Sequence, residues 1–316
     1  GILKKNGYRQ FNTAYVEIPK KQGKQLALDT KIPTPAGFTT MGDLKIGDTV
    51  FDENGQPCHV VDKSQVDDTE QAYRLTFRDG SSIVAGERHL WNVDYIVGKT
   101  RPFIWTTGEI YRRTMKHRKR YKGDEHEEMR SVIRIPVAKP IQIDENELPL
   151  DPYLYGYWLG NGCATKPEIT ICDKDLQAVM RNIPYQCYNT IRQPGSVRVY
   201  YHQLRKILVP TFRDKVIPQE YLRSSEHQRW ELLQGLMDSD GCIGSRKSQS
   251  TYVSTIEQLA KSVRELLWSL GIKNAMTEAP STRYGKPTGE TLYTIRFTTF
   301  DDQPTSKLHR KICRKR

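Results

Sequence analysis

The chain contains two similar apolar segments that each end in glycine, Leu154–Gly162 and Leu233–Gly241. When the two segments are aligned, Gly156 falls opposite Gly235, and each segment closes on a glycine of the kind that terminates helices. Matched segments at a distance along the chain indicate an internal repeat of one supersecondary unit. Because glycine has no side chain, two such helices can approach each other closely. The sequence therefore predicts two pseudo-symmetric halves around a central helix pair.

These segments resemble the paired LAGLIDADG helices of single-chain homing endonucleases, and Leu233–Gly241 follows the family signature closely. The resemblance implies an α+β domain at residues 146–316, made of two repeats at about 146–218 and 219–316. It also implies double-stranded DNA as the partner, because each repeat of that family places a curved sheet in the major groove. The strands expected to form the two sheets are Glu168–Cys172, Ser196–Tyr201, Gln249–Ser254 and Thr291–Thr299.

The position before the closing glycine differs between the segments, since it holds Asn161 in the first and Asp240 in the second. In the family both positions carry Asp, and the resemblance implies that they bind Mg²⁺ or another divalent cation for phosphodiester hydrolysis. We therefore expect Asp240 and Asn161 to be metal ligands and catalytic residues. Lys215 joins them, because it lies in a block where intein endonucleases place a catalytic lysine. Asn161 removes one negative charge, so we expect impaired cleavage, nicking of one strand, or binding alone.

The charge of the chain favours a polyanionic partner. Its 316 residues include 49 Lys and Arg against 37 Asp and Glu, which gives a net charge of +12 and a pI near 9.3. The densest basic run, residues 111–122, can follow a phosphate backbone or form a solvated helix or loop without a partner. The candidate DNA contacts, in this run and in or near the predicted strands, are Arg112, Arg113, Lys119, Arg192, Arg198, Arg246, Lys247, Arg283, Lys286 and Arg296.

Residues 1–24 resemble half of a phosphate-binding loop. A β-rich stretch leads into a basic loop that ends in Gly23-Lys24, where a nucleotide site would need Ser or Thr next, and Gln25 follows instead. The stretch resembles the variant nucleotide-binding loop of phage terminase large subunits. We interpret it as an N-extein fragment, interrupted by an inserted element. A terminase ATPase is disfavoured as the function, because an incomplete loop cannot form a nucleotide site.

Residues 25–145 resemble the N-terminal part of an intein splicing domain. Short β-prone pieces separated by glycine-containing turns predict a partial all-β fold of the Hint type, with the basic run 111–122 as an insert. Most inteins begin with Cys or Ser, whereas Gln25 carries no nucleophile. By the resemblance, His89 polarises or protonates the scissile amide. Trp91 matches the Trp of class 3 inteins, which lack the starting nucleophile.

No His-Asn pair and no Cys in a C-terminal splicing block was found, so self-splicing is not expected of this chain. The leading hypothesis is an intein-encoded endonuclease that binds, and cleaves or nicks, the uninterrupted terminase gene. One alternative is an N-terminal splicing partner that acts in trans with a C-terminal intein and terminase fragment. The other is a degenerate DNA-binding remnant.

The cellular setting follows from cysteine usage and hydropathy. The six cysteines form no C-x-x-C pair and no zinc-ligand spacing, which is typical of reduced thiols. No apolar run is long enough for a membrane span, and the N-terminus lacks the apolar core of a signal peptide. We therefore expect a cytoplasmic protein, in the host cell of a phage or prophage, without a membrane partner.

Overall fold

The structure is a computed structural model that describes residues 26–66, 69–77, 81–95, 101–120, 133–244, 249–283, 286–299 and 303–312. The chain divides into two compact units, Gly1–Lys139 and Pro140–Arg316. This division lies near the boundary expected after residue 145. None of the helices in the described ranges has the length and apolar character that crossing a membrane requires.

The first unit consists mainly of short antiparallel strands. Its elements are β1 (Lys31–Thr34), β2 (Gly37–Thr40), β3 (Thr49–Phe51), β4 (Pro57–His59), β5 (Ala72–Thr76), β6 (Ser82–Gly86), β7 (Leu90–Tyr95), β8 (Arg101–Thr106), α1 (Thr107–Arg120) and β9 (Ile133–Arg134). Strands β1 to β6 pair as successive hairpins, and β8, β7 and β9 form a sheet in that order. The β3–β4 turn requires glycine, because Gly55 adopts a φ of 77°. The predicted β fold is confirmed, and the basic run lies largely in helix α1.

The second unit contains two repeats of helix, strands and helix. Its elements are α2 (Pro152–Asn161), β10 (Glu168–Cys172), α3 (Leu176–Arg181), β11 (Asn189–Gln193), β12 (Ser196–Tyr200), α4 (Gln219–Leu222), α5 (Glu226–Ser239), β13 (Cys242–Ile243), β14 (Gln249–Ser254), α6 (Glu257–Ser269), β15 (Asn274–Arg283), β16 (Lys286–Thr298) and α7 (His309–Ile312). Within the described residues, the sheet orders are β10-β12-β11 and β13-β14-β16-β15. The shared order, with β10 matching β14, confirms the predicted α+β fold of two repeats.

The two central helices begin at residues suited to cap them. Helix α2 starts with Pro152 after Asp151, whose carboxylate accepts a hydrogen bond from the backbone N–H of Leu154 at 2.9 Å. Helix α5 starts after Ser225, which forms a capping box with Gln228. These local signals place both helices so that their apolar faces meet.

The helices touch at the two glycines of the repeat. A Cβ atom added to Gly156 would lie 2.2 Å from the carbonyl oxygen of Leu232, and one added to Gly235 would lie 2.1 Å from the carbonyl oxygen of Tyr153. Both neighbours are backbone atoms of the opposite helix, so a side chain could fit only if the helices separated. The close approach predicted from the sequence is therefore confirmed.

Strand prediction succeeded where strands are half buried and failed at exposed edges. Strands β10 and β14 match their predicted bounds, and β12 ends one residue early. The predicted strand at 291–299 is longer than expected, because β16 begins at Lys286 and pairs with β15. Neither β11 nor β15 was predicted. The first is largely polar and exposed, and the second contains Pro280 at a register shift.

Candidate functional site

The closing turns of α2 and α5 lie against each other. A Cβ atom on Gly160 would lie 2.3 Å from the hydroxyl oxygen of Ser239 and 2.9 Å from the Oδ2 atom of Asp240. Asp240 therefore packs beside the turn that carries Asn161. The two predicted metal-site positions therefore lie on the adjoining ends of the two helices.

Asp240 occupies a recess that remains open to solvent. Although the residue is exposed, protein atoms surround its carboxylate closely enough that desolvation raises its pKa above the usual carboxyl value. The positive charges of Lys215 and Lys311 act in the opposite direction and lower it. One acid between two lysines can bind a cation while the lysines attract phosphate.

Lys215 is buried at the end of α2, with 3% of its surface exposed. Its ammonium donates hydrogen bonds to the carbonyl oxygens of Trp158, Leu159 and Gly162 at 2.8, 3.2 and 2.7 Å. Burial lowers its pKa to about 8, and the charge of Asp240 opposes that shift. Three carbonyl acceptors match the three N–H donors of a protonated lysine, and a cation also suits a helix C-terminus.

Lys311 makes the same contacts at the end of α5. Its ammonium donates to the carbonyl oxygens of Met237, Asp238 and Gly241 at 2.7, 3.0 and 2.8 Å. These acceptors align with those of Lys215 in the first repeat, so the two lysines are related by the pseudo-symmetry. Lys311 was not predicted from the sequence. Its position could have indicated its role, because each lysine follows the last strand of its repeat at a comparable distance along the chain.

Two cavities open at this site, one beside each lysine. A cavity of about 370 Å³ is lined by Lys215, Asp240, Gly160 and apolar residues that include Phe212. A second, of about 240 Å³, is lined by Gly241, Cys242, Ile243, Arg310 and Lys311. Both lysines therefore line a cavity, with their ammonium groups bonded to backbone carbonyls.

The donor set fits a cation whose shell is completed by substrate. Among the residues whose placement is described, no three His, Cys, Asp or Glu side chains form a group that could hold a metal ion. Asp240 contributes a carboxylate, and Asn161 contributes an amide oxygen. Mg²⁺ is usually held by one or two carboxylates together with water and substrate phosphates. The residues present suit that mode of binding better than a preformed metal cage.

The strand register separates two of the predicted DNA contacts. Arg198 on β12 lies in register with Thr170 and Ile191, on the face opposite the buried valines of that strand. Arg192 on β11 lies in register with Val197 and therefore points to the opposite face. It forms a solvated ion pair with a nearby aspartate at 3.7 Å. Arg198 thus lies on the sheet face away from the buried valines, whereas Arg192, although exposed to solvent, lies on the other face.

The second sheet presents an arginine on the matching face. Arg296 on β16 lies in register with Thr251 and Ala275, and its guanidinium donates to the hydroxyl of Thr277 at 3.2 Å. Because β16 corresponds to β12, Arg296 and Arg198 lie on the same face of their respective sheets, away from the buried residues of each strand. Lys286 is exposed at the start of β16.

The other predicted contacts are distributed over both units. Arg283 ends β15, and Lys119 lies in the last turn of α1. Arg112 pairs with Glu87 at 3.3 Å, and the Arg113 guanidinium lies 4.1 Å from the Trp105 ring centre. Arg246 and Lys247 lie outside the described residues. The first unit therefore offers a separate basic helix.

The predicted splicing residues form a compact cluster in the first unit. The rings of His89 and Trp91 meet edge to face at 4.7 Å. The indole N–H of Trp91 donates to the buried hydroxyl of Thr107 at 2.9 Å, and that hydroxyl donates to the carbonyl of His89 at 3.3 Å. The sequence analysis missed Thr107. Gln25 lies outside the described residues, but its neighbour Leu26 bridges to β6, the strand just before His89.

Comparison with known proteins finds a family similarity within the second repeat. Residues 227–313 match the family model described as a LAGLIDADG-like domain. Over 288 residues the chain is 32% identical to the replicative DNA helicase DnaB of Mycobacterium intracellulare, a match that covers 88% of this chain and 47% of the helicase. The chain thus spans about half the length of the curated relative that it matches.

Two solved structures are similar to parts of the chain. A structure of mesophilic variants from the homing endonuclease I-DmoI has a TM-score of 0.34 at 15% identity, and the match covers 52% of this chain and 96% of that chain. The Msm DnaB1 intein splicing domain bound with zinc has a TM-score of 0.22 at 36% identity, and the match covers 26% of this chain and 69% of that chain.

Proposed function

We propose that this chain, which contains a LAGLIDADG-like domain, is an intein-encoded endonuclease that acts on double-stranded DNA. The observation that carries the proposal is the position of Asp240 at the end of the helix pair, within the fields of Lys215 and Lys311. The exposed sheet faces would hold the DNA on either side of this site. None of the cysteines that the structure describes forms a disulfide, which suits a cytoplasmic protein.

The acidic, amide and basic residues of this site would have different roles. Asp240 and Asn161 would hold Mg²⁺ or another divalent cation, which activates water and stabilises charge on the phosphate. Lys215 and Lys311 would act on the scissile phosphates through the field of their positive charges, because each residue lines an open cavity while its ammonium stays bonded to backbone carbonyls. Since Asn161 carries no charge, we expect slow double-strand cleavage or nicking of one strand.

Removal of either lysine should slow hydrolysis more than it weakens binding. We expect Lys215→Met and Lys311→Met each to lower the cleavage rate by about a hundredfold, the usual effect of losing one electrostatic group at a reacting centre. Single-turnover cleavage and gel-shift affinity measure the two effects separately.

Lys206→Met is the matched control, because Lys206 is exposed and makes one long hydrogen bond of 3.5 Å to a backbone carbonyl. Thermal unfolding must accompany the rates, since Lys215 and Lys311 also cap helices. Full cleavage by both folded variants would show that the lysines are structural.

The sheet faces predict different roles for two arginines. We expect Arg198→Ala to lose recognition of one base pair, an effect of about 1–3 kcal/mol for a good bidentate contact. Arg192→Ala should leave the sequence preference unchanged, because Arg192 lies on the other face. Binding to targets with single base-pair changes, at several salt concentrations, measures both. Relaxed specificity in Arg192→Ala alone would contradict this assignment.

The target is proposed to be the uninterrupted gene of the ATPase whose phosphate loop ends at Gly23-Lys24. The resemblance of residues 1–24 favours a phage terminase gene, whereas the matched relative is a replicative helicase. Plasmids that carry each uninterrupted site, incubated with the chain and Mg²⁺, distinguish the two. Cleavage or nicking of one plasmid identifies the target. If the chain binds both plasmids but cleaves neither, the result would support a degenerate DNA-binding remnant instead.

A second candidate function is splicing in trans with a C-terminal intein fragment. The contacts among His89, Trp91 and Thr107, near the strand that pairs with Leu26, favour it. Mixing the chain with the C-terminal part of a related intein tests this function. A ligated product that disappears in His89→Ala would support splicing, and no product with any partner would count against it.

A further inference from the structure

The last described segment, residues 303–312, runs from the second repeat back to the helix ends. The hydroxyl of Thr305 lies 3.1 Å from that of Ser250 on β14. Next in the chain, Ser306 and the backbone N–H of Lys307 both donate to the buried carboxylate of Asp238, the latter at 3.2 Å. The segment is thus anchored to α5 just before it reaches Lys311.

One contact of this segment crosses to the first repeat. The Arg310 guanidinium forms a bidentate ion pair with Asp175, in which Nε lies 2.5 Å from Oδ1 and Nη2 contacts Oδ2. Asp175 precedes α3 of the first repeat and is only 4% exposed. A buried carboxylate requires such a partner, and a bidentate pair fixes orientation as well as distance.

The ion pair is adjacent to an active-site lysine. Arg310 and Lys311 are consecutive residues of α7. An ion pair that holds the Arg310 guanidinium in place therefore also restricts the direction of the Lys311 side chain. The residue before Lys215 behaves differently, because Asp214 bonds only locally with Thr211, at 2.9 Å and at the exposed surface. The two lysines therefore make equivalent contacts themselves, but the residue that precedes each lysine in the chain has a different partner.

We propose that Asp175 and Arg310 are positioning residues, whose ion pair holds Lys311 against the end of α5. Through this pair, a residue of the first repeat determines the position of Lys311, which belongs to the second repeat. The inference rests on the proposed nuclease function for its effect on cleavage, but not for its effect on Lys311 itself.

The activity test compares both DNA strands in Asp175→Asn. We expect this variant and Lys311→Met to slow cleavage of the same strand, with a change of about tenfold in the ratio of the two strand rates, the scale of one modest electrostatic contact. Lys215→Met should not reproduce that bias. Arg310→Lys, which keeps the charge, should recover part of the rate that Arg310→Gln loses. Asp173→Asn is the matched control, because it breaks a nearby exposed Asp–Arg pair.

A second readout needs no DNA. Acetylation of lysine amines, followed by peptide mass spectrometry, should show faster labelling of Lys311 in Asp175→Asn while Lys215 stays protected. If the unaltered chain cuts no DNA, the nuclease proposal fails, whereas this selective labelling still supports positioning. Equal labelling of both lysines, or the same pattern in Asp173→Asn, would overturn the inference, since the pair would then only stabilise the fold.

Discussion

Replacement of Asp240 with Asn is expected to abolish metal-dependent cleavage and nicking while DNA binding persists. Asp240 is the one carboxylate of the two motif positions, so the variant would leave two amides to hold a hard cation. The loss should be at least about a thousandfold, since a bound cation supplies several kcal/mol of transition-state stabilisation. Plasmid relaxation and linearisation across a range of Mg²⁺ concentrations, with gel-shift binding in parallel, measure it.

Asn161→Asp is the converse control for the same site. Restoring the second carboxylate should lower the Mg²⁺ concentration that half-maximal cleavage requires and raise the double-strand rate. Neither change adds volume, because Asn and Asp are isosteric. Cleavage that survives Asp240→Asn would show that Asp240 does not bind the metal ion. An unchanged cleavage rate in Asn161→Asp would show the same for Asn161.

Replacement of Gly235 with Ala should destabilise the second unit strongly. The new Cβ atom would lie 2.1 Å from one carbonyl oxygen and 2.8 Å from a backbone nitrogen of α2, and neither atom can move without displacing the helix. We expect a loss of about 3 kcal/mol or more, at the upper end of overpacking effects. For a unit of this size that corresponds to a fall in Tm of roughly 6–12 °C, measurable by thermal unfolding.

Gly244→Ala is the matched control for the helix contact. A Cβ atom there would lie 3.4 Å from the carbonyl oxygen of Gln249, an ordinary contact, and Gly244 has no positive φ. Its Tm should stay close to that of the unaltered chain. Equal shifts in Tm for the two variants would show that the helix contact is less restrictive than its geometry indicates.

The sequence by itself determined the central helices, their close approach and the acid at the site. These features are encoded locally, because the apolar residues and closing glycines lie within each motif and the capping residues lie shortly before it. Asp240 could be assigned for the same reason, since its place in the motif determines its place at the helix end. The host gene was not determined, because the terminase resemblance rests on a short loop fragment and the matched relative is a replicative helicase.

The tertiary structure alone decided which distant residues join the site. Lys311 reaches its carbonyl partner from 74 residues away in the chain, and Thr107 reaches Trp91 only when β7 and β8 pair, so neither contact lies within one motif. Arg192 and Arg198 looked alike in sequence, but a strand alternates its side chains, and only the register shows that they face opposite ways. The Asp175–Arg310 ion pair likewise exists only because folding brings the two repeats together. Local sequence determined the helix pair, and long-range packing determined what surrounds it.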